Sequence, residues 1–113
     1  EAELEAAGER EIANVVRILR GVIDEIPDEI DWVLQVNGHT DDVPITQGER
    51  FADNWELSQA RALSVVRYMV DALDFPPDRL SANGYAEYQP VNPEDTPEAR
   101  AENRRIELKL TTQ

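Results

Sequence analysis

Residues 36–63 read VNGHTDDVPITQGERFADNWELSQARAL, and within them the apolar spacing changes from that of a strand to that of a helix. From Asp31 to Asn37 the pattern has period two, with Trp32, Leu34 and Val36 on one side, so this is a strand with one buried face that Gly38 closes. After Asp53 the steps become three and four: Ala62, Leu63, Val66, Met69, Val70 and Leu73 form the core stripe of a helix. Asp53 is placed to accept from amides of the first turn while Glu56 reaches back, the arrangement of a capping box. Residues 39–53 between them hold Asp, Pro, Thr, Gly and the charged Glu49-Arg50 pair, and read as a long irregular loop. An isolated acid, Asp41, therefore follows the strand, and an isolated base, Arg61, lies inside the helix. A strand-to-helix connection that folds back brings such a pair to one rim of a sheet, where they can grip a zwitterionic ligand. That geometry favours recognition over catalysis.

Working outward, Ile12, Val15, Val16, Leu19, Val22, Ile23 and Ile26 recur at three- and four-residue steps and predict a helix with one apolar face, stopped by Pro27. A short strand is expected from Leu80 to Tyr85, and because a helix separates it from the Trp32 strand the two should pair in parallel. Residues 86–97 are polar and hold three prolines. Arg105 to Thr111 alternates, with Ile106, Leu108 and Leu110 toward the core and Glu107 and Lys109 toward water. The order helix, strand, helix, strand, short helix, strand predicts a two-layer α/β (α+β) sandwich, with the helices on one face of a small mixed sheet. Residues 1–113 read as a single domain without internal repeats.

Bulk properties narrow the function. The 113 residues are 41% hydrophobic, enough for one modest core, and no stretch approaches the roughly 20 apolar residues that span a bilayer. Net charge is −13 and ten of the eleven basic residues are arginine, so a phosphate backbone would be repelled over most of the surface. Nucleic acid is excluded as a partner on that ground. The absence of cysteine removes disulfides, thiolate metal sites and cysteine nucleophiles. The abrupt start at Glu1 in helical sequence reads as a fragment of a longer protein.

The succession Gly38-His39-Thr40-Asp41, Asn54-Trp55-Glu56-Leu57-Ser58, Ala60-Arg61-Ala62, Gly84-Tyr85-Ala86-Glu87 and Asn103-Arg104-Arg105 resembles the OmpA-like C-terminal domain, which binds peptidoglycan noncovalently. The loop from Asp42 to Phe51 and the Asn-Trp-Glu-Leu-Ser wording look most like the stator B subunits of the flagellar motor. The resemblance implies a periplasmic wall anchor of a Gram-negative envelope protein whose parent is inner-membrane anchored, has a transmembrane partner and is open to homodimerisation. It implies no cofactor. It also implies the site: Asp41 for the ammonium and Arg61 for the carboxylate of a stem-peptide diaminopimelate, with Asn54 and Leu57 lining the pocket. Thr40 adds a hydroxyl or amide beside it. The charges suit that ligand without the name, because a diaminopimelate end carries one ammonium and one carboxylate on a single carbon. Each charge-assisted bond is worth about 1.5–3 kcal/mol, so binding of one stem is expected to be weak. Family members begin with a strand before the first helix; here Glu1-Ala2-Glu3-Leu4 reads as the turn after it. An exposed or re-paired sheet edge, and an incomplete binding site, are the expected consequences.

Blander roles stand beside these. Taken alone, Asp41 and Asp42 are turn acids and Arg61 a solvated helix residue. His39 with Asp41 and Asp42 has the outline of a metal half-site, but the favoured role of His39 is to fix the loop by a hydrogen bond to backbone. Arg104 and Arg105 straddle a strand start and point to opposite faces. Pairing with an acid such as Glu87 is the favoured role for each, and Arg104 is kept among the ligand-contacting candidates. Trp32 is read as core, Trp55 as a shield over the loop, and Tyr85 and Tyr88 as packing. A non-binding structural or oligomerisation domain is the alternative function. A hydrolase of the same polymer is disfavoured, because the loop acids Glu49 and Asp53 come with neither a base of raised pKa nor a metal cluster.

Overall fold

A computed structural model describes residues 6–45 and 51–112, so the turn read at Glu1–Leu4 and the Glu49-Arg50 pair lie outside the described residues. The elements are α1 (Ala6–Ile23), β1 (Trp32–His39), α2 (Asn54–Leu73), a 3-10 turn (Pro77–Arg79), β2 (Leu80–Gly84), α3 (Pro97–Asn103) and β3 (Arg105–Thr112). The three strands form one mixed sheet in the order β2-β1-β3. β1 pairs in parallel with β2, Val36 opposite Ala82, and antiparallel with β3, Val36 opposite Leu108. This is the two-layer α/β arrangement that the sequence predicts.

The core gathers Val16 of α1, Leu34 and Val36 of β1, and Ala62, Val65 and Met69 of α2, with Ile106, Leu108 and Leu110 of β3 packed against it. Phe75 joins them and meets the half-buried Trp32 edge to face, centroids 6.1 Å apart. Three details differ from the sequence reading. β1 does not stop before Gly38 but continues to His39, and its last four residues are buried on both faces because it is the central strand. Of the expected stripe of α2, Ala62 and Met69 are buried and Val66 and Leu73 pack against the core, but Ser58 and Val65 are buried as well. The apolar residues of α1 do not share one buried face: Val15 and Val22 are exposed beside the 65% exposed Ile18. The cause is coverage, since among the described residues β3 carries no second neighbour and the flank of α1 beside it stays open.

α2 lies almost on the backbone of the strand ends. A Cβ at Gly38 would stand 2.2 Å from the Ser58 carbonyl oxygen, and one at Gly84 would stand 2.6 Å from both the Gln59 amide and Ser58 Oγ. Only glycine allows that approach. Ser58 then donates to the Trp55 carbonyl (3.0 Å) and accepts from the Ala86 amide (3.0 Å), tying the start of α2 to the turn after β2.

Candidate functional site

The site forms where the carboxyl end of β1, the start of α2 and the start of β3 meet. Thr40, just past β1, is held by its amide to the Ala86 carbonyl (2.9 Å), and its hydroxyl donates to the Asp41 carbonyl (2.9 Å). Asp41 Oδ1 accepts from the Val43 amide (3.1 Å), an Asx turn that sets the carboxylate's direction. Its other oxygen, Oδ2, receives Arg104 Nη1 at 2.7 Å. The carboxylate is mostly buried, and the Arg104 guanidinium is half exposed. Asn54, buried in the first turn of α2, donates to the Val43 carbonyl (3.2 Å) and more loosely to that of Asp41 (3.4 Å). The loop is thus fastened to α2 through side-chain amide and backbone.

Arg61 sits two turns into α2. Its contact is a long one, Nη1 to the His39 carbonyl at 3.5 Å, and among the described residues it makes no ion pair. Burial pushes its pKa down, the nearby Arg104 charge pushes the same way, and Asp41 opposes both. Asp41, Arg61 and Arg104 together carry one excess positive charge in a chain whose net charge is −13. Arg61 and Arg104 stand at one end of a cleft of about 490 Å³ between α1 and β3, floored by Ile12, Val15, Ile106 and Leu108. Half-buried Leu57 precedes Arg61 by one turn on the same face of α2.

The helix start is built as its sequence indicates, with one shift. Asp53 accepts from the Glu56 amide (2.9 Å), while the Glu56 carboxylate reaches back to the Ala52 amide (3.1 Å) rather than to that of Asp53. His39 departs from its expected role. Its ring does not bond backbone but lies buried against Tyr85, centroids 5.2 Å apart and nearly parallel, with Nε2 3.2 Å from Glu107 Oε1. The metal half-site therefore does not assemble, because the ring turns to Glu107 while Asp41 turns to Arg104. Arg105 also pairs with Glu107 (2.7 Å), and Arg104 with Asp41, neither with Glu87. Asn103, which precedes the two arginines in the chain, accepts from the Val91 and Asn92 amides (2.9 and 3.1 Å) and so binds the preceding loop to α3. The supporting roles of Gly38, Ser58 and Gly84 escaped the sequence reading, although small residues at Ser58 and Ala62, one helical turn apart, signal a close backbone approach.

The sequence profile of the OmpA family matches residues 1–104. The chain belongs to the OmpA family. This OmpA-family domain is 38% identical over 108 residues to the uncharacterized protein YtxE of Bacillus subtilis, covering 96% of the chain and 44% of that protein. Its fold superposes with a TM-score of 0.80 on the periplasmic domain of Helicobacter pylori MotB, at 27% identity over 99% of the chain and 66% of the other. It superposes at 0.76 on the cell wall anchor of the type VI secretion system (T6SS) of Pseudomonas aeruginosa, at 28% identity over 99% of the chain and 71% of the other. The OmpA-like and MotB-like resemblance drawn from the sequence is thereby established, together with the fold. The domain spans 28–44% of the length of the first curated relatives it matches.

Proposed function

We propose that this OmpA-family domain binds peptidoglycan noncovalently through the diaminopimelate of the stem peptide, and so ties a periplasmic part of an inner-membrane protein to the cell wall. The observation that carries the reading is Arg61, drawn out of water without a carboxylate partner among the described residues, beside an Asp41 already satisfied by Arg104. A guanidinium partly withdrawn from water gains from an anion that completes it. The ligand carboxylate supplies that anion, bidentately on the planar fork. Its ammonium takes Asp41 Oδ2 by displacing Arg104, whose half-exposed guanidinium can then turn toward the same carboxylate. Asn54 and Thr40 hold the loop carbonyls that frame the pocket, and Leu57 lines it. Binding needs no bond making or breaking, which agrees with a wall anchor such as the T6SS relative.

Sedimentation with purified diaminopimelate-type peptidoglycan tests the reading. Asp41→Ala and Arg61→Ala should each remove the domain from the pellet, with the thermal melt nearly unchanged for Arg61→Ala and lowered for Asp41→Ala, which also loses the Val43 and Arg104 bonds, and walls with lysine in place of diaminopimelate should retain it poorly, having no second carboxylate for Arg61. Full retention by both variants, or equal retention on both walls, would reject the assigned site.

A further inference from the structure

Trp55 and Tyr88 stand outside the charge cluster, and both are exposed, at 52% and 62%. Their rings form a shallow angled pair, centroids 5.3 Å apart and planes tilted by 32°. Both are mounted on the frame that carries the charged site. Trp55 follows Asn54 in the first turn of α2, and its carbonyl accepts from buried Ser58, whose hydroxyl also takes the Ala86 amide. Ala86, at φ 55°, shapes the turn in which the Tyr88 amide reaches the Tyr85 carbonyl (3.4 Å). That turn is bonded in its turn to the segment leading to Asp41, through Tyr85 amide to Gly38 carbonyl (3.0 Å) and Thr40 amide to Ala86 carbonyl (2.9 Å). The aromatic pair and the charge cluster therefore share one end of the sheet and hold a fixed relation to each other.

We propose that Trp55 and Tyr88 form a carbohydrate-stacking subsite for a pyranose ring of the glycan strand that bears the stem peptide. The inference rests on the wall-binding reading and adds sugar recognition to it. A pyranose has an apolar C–H face, whose hydrogens carry slight positive charge, and a polar rim of hydroxyl and acetamido groups. The faces of aromatic rings attract the first, and the Trp indole N–H and Tyr hydroxyl can bond the second. An aromatic pair left half in water suits such an amphipathic ligand. The chain neighbours Glu56, Glu87 and Gln89 are hydrogen-bonding groups that break up the contiguous apolar patch a protein partner would need. Where the stem peptide is amide-linked, the sugar units are neutral, so the net charge of −13 does not oppose them.

The test separates sugar from peptide. Soluble glycan strands stripped of peptide by an amidase, with the lactyl carboxylates so freed then capped as neutral methylamides, and stem peptide free of sugar, are each titrated calorimetrically into the 113-residue chain. Wild type should bind the peptide-free glycan; Trp55→Ala and Tyr88→Ala should each weaken that binding at least tenfold, and Trp55→Phe should keep most of it. All four proteins should bind the sugar-free peptide equally and melt alike. Absence of glycan binding by wild type, or undiminished binding by both alanine variants, would overturn the subsite. Glycan binding that depends on Trp55 alongside a silent peptide arm would support it, and would fault only the role given to Asp41 and Arg61.

Discussion

At the scale of single residues, the places of Asp41 just after a strand and of Arg61 within a helix were legible, because the local apolar spacing that sets them survives any detail of packing. The Asp41–Arg104 pair was not, since 63 residues separate the partners and no local pattern says which face Arg104 takes. His39 is a similar case, and it has a measurable consequence. Burial first, and the Arg105 charge second, push its pKa below 6.5, while Glu107 pulls it upward without prevailing. The unfolded chain binds a proton at that ordinary value and the native chain only at lower pH. Between the two the unfolded state holds more protons, so stability rises with pH there. The melting temperature should fall as pH drops from about 6.5 toward the native pKa. His39→Gln should flatten that part of the profile, as calorimetric melts between about pH 7.5 and 5 would record. An unchanged slope would place the proton uptake elsewhere.

At the scale of elements, the helices and strands followed from periodicity and the start of α2 from Asp53, whereas α1 ends at Ile23, short of the Ile26 and Pro27 that the apolar spacing takes as its end. What periodicity could not show is how near an element comes to its neighbour or whether its apolar flank is covered. α1 illustrates the second point, with Val15, Ile18 and Val22 left exposed along one flank. α2 illustrates the first, since its start rests on Gly38 and Gly84 at distances that no side chain tolerates. Gly38→Ala must push the Ser58 backbone away, and should cost about 1–3 kcal/mol as overpacking does. Because Asn54 and Arg61 ride on the same helix, it should also weaken wall binding. At Gly21, within α1, a Cβ would meet nothing within 4 Å, so Gly21→Ala should instead stabilise by roughly 0.4–1 kcal/mol. Urea unfolding of the two variants reads both signs; equal effects would mean that α2 does not lie as close to β1 as these distances require.

At the scale of the whole molecule, a chain of net charge −13 sets Arg61 and Arg104 beside Asp41 at the rim where β1, α2 and β3 meet. Such a surface selects by local pairing and gains little from long-range attraction to a carboxylate-bearing polymer. A few charge-assisted bonds, less the cost of ordering the ligand and of displacing Arg104 from Asp41, leave weak affinity for one stem. A wall, however, offers stems in a repeating array, and a second linked domain finds its site at high effective concentration. Joining two copies of the domain through a dimeric coiled coil should therefore raise retention on intact sacculi by about 10²–10⁴ over the single domain, with a linker long enough for both to engage. The affinity per site for a soluble muropeptide should stay the same, because no contact within the pocket has changed. Sacculus sedimentation and calorimetry on the same pair of proteins measure the two quantities. A gain in muropeptide affinity per site would mean that the pocket is completed by a second copy, and equal retention on sacculi would mean that stem spacing and domain spacing do not match.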